Sequence, residues 1–150
     1  MAITDSSLNS FINRTIALDS MIFIYFFDQN KHFVDASELI IKLAERGKTT
    51  IVTSIISLLE SLSSFKYQDD TEAQHAITNF FYLTPNVRVM NIDREIALEA
   101  ARLRREHKSL RTPDAVQLAT AIVHKADIFI TNDVKLQKLS LPGLTIQTLS

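Results

Sequence analysis

The sequence predicts an α/β fold with a mostly parallel central sheet and helices on both of its faces. Segments with strand character alternate with segments of helical spacing along its 150 residues. RTIALD (14–19) and ADIFITN (126–132) are almost continuously apolar, which is typical of parallel strands buried on both faces. The length suits one domain with a substantial core. We therefore expect a single domain over 1–150, with 1–14 as an N-terminal extension.

The first third of the chain contains a strand that ends in an acid and one clear helix. The run RTIALD ends at Asp19, which indicates a short buried strand. Ser20 is then placed to cap a helix over 21–29, although this all-apolar run also fits a continued strand. In 32–47 the apolar residues follow helical spacing, and Gly47 suits the position just after the helix.

The middle of the chain repeats the alternation of strand and helix. A second strand is predicted over 49–54, followed directly by a helix over 55–65. Another helix starts at Asp69 or Asp70 and ends near Pro85, because the residue before a proline disfavours helical geometry.

The last third begins with the strand 87–92, in which apolar and polar residues alternate. Asp93 is the predicted N-cap of a helix over 93–108. Thr112 is a good cap and Pro113 a favoured first helical residue, so a further helix begins there. The remaining predictions are the end of that helix near Lys125, a strand over 126–132, a short helix over 134–139 and a final strand over 144–149.

Composition excludes several classes of protein. The sequence has no cysteine, which excludes disulfides, thiolate zinc sites and a cysteine nucleophile, and fits a cytoplasmic protein. A net charge of −1 argues against an obligate nucleic-acid binder. The apolar run MIFIYFF is too short to span a bilayer, so we expect no membrane partner. The scattered histidines, and the lack of nucleophile-elbow and phosphate-loop motifs, disfavour the chemistries that such motifs support.

Four carboxylates lie inside or at the edge of apolar segments, where an acid is costly to bury. They are Asp19, Glu60, Asp114 and Asp133. Asp19 and Asp133 stand at the carboxyl ends of predicted strands, the edge at which open α/β sheets bind ligands. A divalent cation such as Mg²⁺ would remove the repulsion among four converging acids. The pattern therefore predicts a metal-dependent enzyme acting on phosphate esters.

Three of these acids also have a purely structural explanation. Asp114, in the first turn of a helix, could interact with the helix dipole. Asp133 could cap the helix that follows it, and Asp19 could end its strand in a turn. The joint placement of the acids at successive element junctions favours the site.

Glu60 is the hardest of the four to explain structurally. It lies among leucines and could face the interior edge of the sheet. It could equally belong to a solvent-facing stripe with Ser57, Ser61 and Ser64.

Polar and cationic neighbours could assist the acids. Thr131 and Asn132, beside Asp133, and Ser20, beside Asp19, could hydrogen-bond a ligand carboxylate or a metal-bound water. The stretch RLRREHKSLR carries five cations, which are Arg102, Arg104, Arg105, Lys108 and Arg111. These cations either offset the helix dipole or form a phosphate-attracting rim beside the acids.

Four stretches of the chain resemble the PIN-domain family, and most closely its VapC-type toxin ribonucleases of toxin–antitoxin pairs. The stretches are ALDSMIFIYFF, VTSIISLLES, LRTPDAVQLATAI and IFITNDVKL, with DREIALEAARLRREH resembling the helix before the third. The resemblance implies a three-layer α/β/α fold and a pocket for Mg²⁺ or Mn²⁺. It also implies hydrolysis of RNA phosphodiester bonds, a homodimer and an antitoxin partner that blocks the site.

Matched motif by motif, the family's acidic site residues would be Asp19, Glu60, Asp114 and Asp133, with Thr131 as the accompanying hydroxyl. We expect Asp19, Asp114 and Glu60 to hold the principal metal and Asp133 to complete the pocket. The main alternative is a PIN-like module that binds RNA or protein without cleaving. A phosphatase or a phosphate-accepting receiver domain is a further alternative, although no DxD motif follows the first strand.

Overall fold

Five parallel strands form the centre of the molecule. The computed structural model describes residue 3 and residues 5–149. The strands are β1 (Thr15–Leu18), β2 (Thr50–Ser54), β3 (Val87–Met90), β4 (Ile128–Ile130) and β5 (Thr145–Gln147). They are ordered β3-β2-β1-β4-β5, and every neighbouring pair is parallel. The predicted parallel sheet is confirmed, with β1 in the middle.

Helices connect the strands and cover the sheet. In chain order they are α1 (Asp5–Asn9), α2 (Ser20–Phe27), α3 (Val34–Glu45), α4 (Ile55–Leu62), α5 (Thr71–Leu83), α6 (Arg94–Glu106), α7 (Thr112–Val123) and α8 (Val134–Gln137). A 3₁₀ turn at Phe65–Tyr67 follows α4. None of the helices in the described part of the chain is long and apolar enough to cross a membrane.

The two faces of the sheet carry separate hydrophobic cores, which confirms the three-layer α/β/α architecture. Successive side chains of a strand point to opposite faces, so Ile16 and Leu18 enter one core while Ala17 enters the other. The first core is rich in aromatic residues, including Phe23 and Phe81, whose ring centroids are 4.8 Å apart. The second core contains much of α7, whose residues 115–121 are all buried. Small side chains let this helix lie close to the sheet.

The residues predicted to start and stop helices are largely confirmed. Asp93 caps α6 by accepting a hydrogen bond from the Ile96 N–H at 2.9 Å. At the end of α3, Gly47 adopts a φ of +70°. Its N–H donates to the Ala44 carbonyl at 2.9 Å, which is the glycine-ended stop expected from the sequence.

Two predicted caps lie one residue away from the observed ones. The N-cap of α2 is Asp19 rather than Ser20, because the Asp19 carboxylate accepts the first free N–H of the helix. The N-cap of α7 is Arg111, and Thr112 is the first helical residue. Pro113 therefore lies at the second helical position. The N–H that proline lacks would have no acceptor within the helix there, so no hydrogen bond is lost.

The predicted N-terminal extension over 1–14 contributes to the first core. Phe11 is fully buried, and Ile3 and Leu8 pack against the same cluster. Burying a phenylalanine contributes about 1.5–3 kcal/mol, so this segment helps to stabilise the domain. Of the segment predicted, residues 1, 2 and 4 lie outside the described residues, as does residue 150 at the other end.

Candidate active site

The carboxyl ends of β1 and β4 place Asp19 and the loop after β4 side by side. These two strands pair in parallel, with Leu18 opposite Ile130. The pairing continues one residue further, because the Asp19 N–H donates to the Ile130 carbonyl at 3.0 Å. The order of the strands along the chain changes direction here, and such switch points are where open α/β sheets bind ligands.

Asp19 is a buried carboxylate held by two donors. Its side chain and backbone are together only 8% exposed. Oδ1 accepts from the Ser20 N–H at 2.8 Å, and Oδ2 accepts from the Thr131 hydroxyl at 2.7 Å. The same Thr131 oxygen accepts from the Asp133 N–H at 3.0 Å. Thr131 therefore fixes Asp19 relative to the loop that carries Asp133.

The surroundings of Asp19 make its charged form unfavourable. Burial raises the pKa of Asp19, the hydrogen bonds from Thr131 and Ser20 lower it, and the charges of Asp114 and Glu60 raise it, to about 6 overall. Acids from two other segments of the chain, Asp114 and Glu60, thus act on the charge of Asp19. The two donors to Asp19 are neutral groups, so neither of them adds a positive charge that would offset this cost.

Asp114 and Asp133 line the same cleft. The cleft has a volume of about 250 Å³ and is lined by Ser109, Leu110, Arg111, Asp114, Asp133, Lys135, Leu136 and Leu139. Burial raises the pKa of Asp114, the Arg111 guanidinium at 3.4 Å opposes this, and the charge of Asp133 adds to it. Asp133 also caps α8 by accepting from the Lys135 N–H at 2.8 Å. The helix cap was predicted as an alternative to a site role, and it does not exclude one, since this bond is made by Oδ1 alone.

Glu60 lies at the middle of α4, partly buried. The predicted solvent-facing stripe of serines is wrong for two of its members, because Ser57 and Ser61 are buried. Leu59, by contrast, is 60% exposed. Two serines therefore lie on the inward face of the helix, and Glu60, between them and Leu59, is half-buried.

Charge interactions link the four acids in pairs, but the acids are not already arranged as a set of metal ligands. Charge interactions join Asp19 to both Asp114 and Glu60, and Asp114 to Asp133. Within the described residues, however, no group of three or more acids and histidines stands close enough to hold a metal ion. Asp19 and Glu60 are not among the described residues that line the cleft.

The three other polar residues predicted to assist the site make different contacts. Thr131 contacts Asp19 directly, as described. Asn132 instead joins parts of the fold, because its Oδ1 accepts from the Leu149 N–H at 3.1 Å and its Nδ2 donates to the Tyr25 hydroxyl at 3.4 Å. The Ser20 hydroxyl accepts from the Gln117 amide at 3.0 Å.

The five cations of the stretch 102–111 are in different settings. Arg111 lines the cleft beside Asp114. Arg102 pairs with Glu99 and Glu106 on its own helix, and Arg104 donates to the Leu110 carbonyl at 3.2 Å. Arg105 and Lys108 are exposed. The stretch is thus not one continuous cationic rim, since Arg102 is already neutralised by acids of its own helix.

The sequence reasoning missed two polar residues next to the acids and misplaced a third. Gln117 and Thr53 were not singled out, and Ser57 was assigned to the solvent-facing stripe, yet all three are buried and joined by hydrogen bonds that reach Leu18. A signal was present, because a glutamine within the otherwise apolar run AVQLATAIV must find partners when that helix is buried.

Comparisons with known proteins agree with this architecture. The model of the PIN domain family matches residues 16–141, and the chain belongs to this family. A comparison with curated proteins found no match.

Solved structures with the same fold come from toxin–antitoxin systems. VapBC2 from Rickettsia felis, bound to a DNA fragment from its promoter, aligns with a TM-score of 0.68 and 20% identity, over 89% of this chain and 98% of that one. A toxin–antitoxin complex from Klebsiella pneumoniae aligns with a TM-score of 0.61 and 25% identity, over 87% and 95%. VapC20 from Mycobacterium tuberculosis, a sarcin-ricin loop cleaving toxin, aligns with a TM-score of 0.63 and 15% identity, over 83% and 96%.

The donor set suits a hard divalent cation. All four candidate ligands are carboxylates, and Asp19 has no cationic partner to neutralise it among the hydrogen bonds described. Mg²⁺ keeps several waters and needs only one or two direct carboxylates. The pairwise arrangement of the acids therefore fits a cation bound partly through water.

Proposed function

We propose that this protein is a Mg²⁺-dependent endoribonuclease, the toxin component of a toxin–antitoxin pair. The observation that carries the proposal is Asp19, which is buried at the carboxyl end of β1 and has its pKa raised by burial and by the charges of Asp114 and Glu60. Family membership and the toxin–antitoxin systems among the similar structures support the same class. Mn²⁺ is the alternative cation, since it accepts the same oxygen ligands.

Each acid has a role in this proposal. Asp19, Asp114 and Glu60 hold the principal cation, directly or through water, and Asp133 completes the pocket. Such a cation lowers the pKa of a bound water and stabilises negative charge on phosphate during displacement. No protein nucleophile is then required.

The remaining residues of the site orient the acids and attract the substrate. Thr131 and the Ser20 N–H fix both oxygens of Asp19, leaving the second lone pairs for a ligand. Arg111 and Lys135, on the wall of the cleft, provide positive charge beside Asp114 and Asp133. We propose that Arg111, with the exposed Arg105 and Lys108, contacts RNA phosphates.

The proposal includes two protein partners. An antitoxin would bind this chain and block the acids, and a second copy would form a homodimer. Exposed apolar side chains, among them Leu59 and Phe65, provide surface that a partner can cover. We place the activity in the cytoplasm, with its RNA substrate. Co-purification with the product of a short adjacent reading frame, and light scattering of each form, test these partners.

An RNA cleavage assay with metal titration tests the activity. Purified protein should cut RNA internally in Mg²⁺ or Mn²⁺ and not in EDTA, and end mapping should give the same sites at every metal concentration. Asp114→Asn should abolish cleavage with the fold retained, whereas Asp69→Asn, at an exposed position, should cleave normally. Full activity in Asp114→Asn would refute its role. RNA binding without cleavage in any metal would favour the non-cleaving module.

A further inference from the structure

A buried glutamine on α7 contacts two of the segments that carry acids. Gln117 is only 3% exposed. Its Nε2 amide donates to the Ser20 hydroxyl at 3.0 Å and to the Ser57 hydroxyl at 2.9 Å. Its Oε1 lies 3.4 Å from the Ser54 N–H, at the end of β2. Both amide hydrogens are therefore used on side chains from the β1–α2 junction and from α4.

The direction of the hydrogen bonds can be followed from Gln117 to the backbone of β1. Thr53 donates its hydroxyl hydrogen to the Leu18 carbonyl at 2.9 Å. In the 2.7 Å contact between Thr53 and Ser57, the donor must then be Ser57. The bonds run from Gln117 to Ser57, from Ser57 to Thr53, and from Thr53 to Leu18. Hydrogen bonds in such a buried chain polarise and strengthen one another.

These contacts end on both chain neighbours of Asp19. Leu18 precedes Asp19 and Ser20 follows it, and each is reached from the same amide group. The network also includes the helices that carry the other acids. Asp114 lies one turn before Gln117 on α7, and Glu60 lies about one turn after Ser57 on α4. A shift of this one side chain would change the spacing of three acids.

We propose that Gln117 is a positioning residue, which sets the spacing of Asp19, Glu60 and Asp114 for a divalent cation. The inference rests on the proposed metal site but not on the identity of the substrate. Gln117 touches neither the cation nor RNA in this scheme. It acts through Ser20 and Ser57, as residues that hydrogen-bond metal ligands or their neighbours commonly do.

If Gln117 has a purely structural role, a different result is expected for a variant that keeps its volume. Met is close to Gln in length and flexibility, so Gln117→Met fills the same volume without the amide. In this variant Ser57 still donates to Thr53, whereas the Ser20 hydroxyl and the Ser54 N–H lose their contacts with Gln117. If Gln117 only contributes to packing, the variant keeps its metal affinity. If it positions the acids, affinity falls while the fold persists.

The test is the affinity for Mn²⁺, measured by calorimetry on the full chain without RNA. We expect Gln117→Met to bind Mn²⁺ at least about 10-fold more weakly than the wild type, the range seen for outer partners of metal ligands. In cleavage assays kcat should fall with KM for an RNA oligonucleotide unchanged. The matched control is Thr120→Val, one turn further along α7, whose buried hydroxyl donates only within its helix, to the Val116 carbonyl at 2.7 Å. The control should bind Mn²⁺ as the wild type does.

A double-mutant cycle with Ser57→Ala separates action through the network from action through packing. Because Gln117 reaches Leu18 through Ser57, the two substitutions should weaken Mn²⁺ binding by less together than the product of their separate effects. Ser57→Ala alone should also weaken binding, which keeps the test available if Gln117→Met does not fold. Unchanged Mn²⁺ affinity in folded Gln117→Met, or in Ser57→Ala, would overturn the inference.

The same data distinguish this inference from the proposed ribonuclease. A wild-type protein that binds Mn²⁺ with a Gln117-dependent affinity but cuts no RNA would refute the ribonuclease and uphold the positioning role. A protein that cleaves RNA, but whose Mn²⁺ affinity does not depend on Gln117, would support the ribonuclease and refute the positioning role. A wild-type protein that binds no Mn²⁺ would overturn both.

Discussion

An aspartate stands at each end of the β1 region, and the two have very different surroundings. At the amino end, the Asp127 carboxylate accepts from the Thr15 N–H at 2.9 Å and is exposed to solvent. At the carboxyl end, Asp19 accepts two hydrogen bonds, but it is buried and other acids act on it. Water stabilises the charge of Asp127, whereas Asp19 is deprived of water and placed near like charges.

The difference between Asp127 and Asp19 indicates which of the two serves the fold alone. Asp127 completes a strand junction, and its charge has little cost because water surrounds it. Asp19 accepts hydrogen bonds of the same kind, but its charged form is made unfavourable by burial and by nearby acids. The fold alone does not require this cost. An arrangement that lowers the stability of the protein without ligand is expected at a site where a bound ligand offsets the cost of the buried charge. The predictions below compare the two positions directly, from the largest expected effect to the smallest.

Removing the charge at Asp19 should have the largest effect. Asp19→Asn keeps the size of the side chain but loses the negative charge that a cation requires. We expect the rate of RNA cleavage in saturating Mg²⁺ to fall at least about 100-fold, equivalent to about 2.7 kcal/mol in the barrier. Single-turnover cleavage measures this. Activity within twofold of the wild type would show that Asp19 does not serve the reaction.

The same substitution should stabilise the protein without metal. Because the pKa of Asp19 is raised from 3.8 to about 6 in the folded state, ionisation lowers stability as pH rises through this window. Asp19→Asn should therefore unfold with a free energy about 1–3 kcal/mol higher than the wild type at pH 8, by urea titration in EDTA. The difference should shrink as pH falls from 6 toward 3.8, because the folded wild-type carboxyl becomes protonated over that window. A constant difference across pH would contradict this explanation.

Thr131→Val should produce an intermediate effect. The hydroxyl bond to Asp19 lowers the pKa of that carboxyl, so its loss should raise the pKa further. The acidic limb of the cleavage–pH profile, measured at limiting Mg²⁺, should move to higher pH. Affinity for Mn²⁺ should fall about 10-fold. Thr145→Val, on the exposed face of β5, is the matched control and should leave both measurements unchanged.

Asp127→Asn should have the smallest effect. The amide oxygen can still accept from the Thr15 N–H, so the unfolding free energy should change by less than about 1 kcal/mol. Cleavage and Mn²⁺ affinity should match the wild type. A loss of activity comparable to that of Asp19→Asn would erase the distinction between the two ends of β1.

Much of the fold could be predicted from local sequence, because its signals are local. Periodicity, the N-cap Asp93 and the stop residue Gly47 indicated the order of strands and helices. Boundaries differed by a residue where two neighbours could both act as a cap, as with Asp19 and Ser20. The N-cap was decided by which side chain reached the free N–H, which sequence alone does not show.

The site was less predictable, because its contacts join distant parts of the chain. The acids were found through their apolar surroundings, and the charge interactions of Asp19 agree with their grouping. The inward orientation of Ser57 and the bonds of Gln117 depend on how α4 and α7 pack on the sheet. Asn132 lay in the right motif, yet its partners Tyr25 and Leu149 come from elsewhere in the chain.

The central position of β1 has a consequence for synthesis on the ribosome. Its first neighbour, β2, follows soon after it, but the other side stays open until β4 emerges, with Ile16 paired to Ile128. The carbonyl and hydroxyl that secure Asp19 belong to Ile130 and Thr131, so they arrive later still. Contacts so distant along the chain form slowly. A nascent polypeptide interrupted before that point holds Asp19 without the residues that fix it, so the contacts around this carboxylate are completed only after β4 and Thr131 have been synthesised.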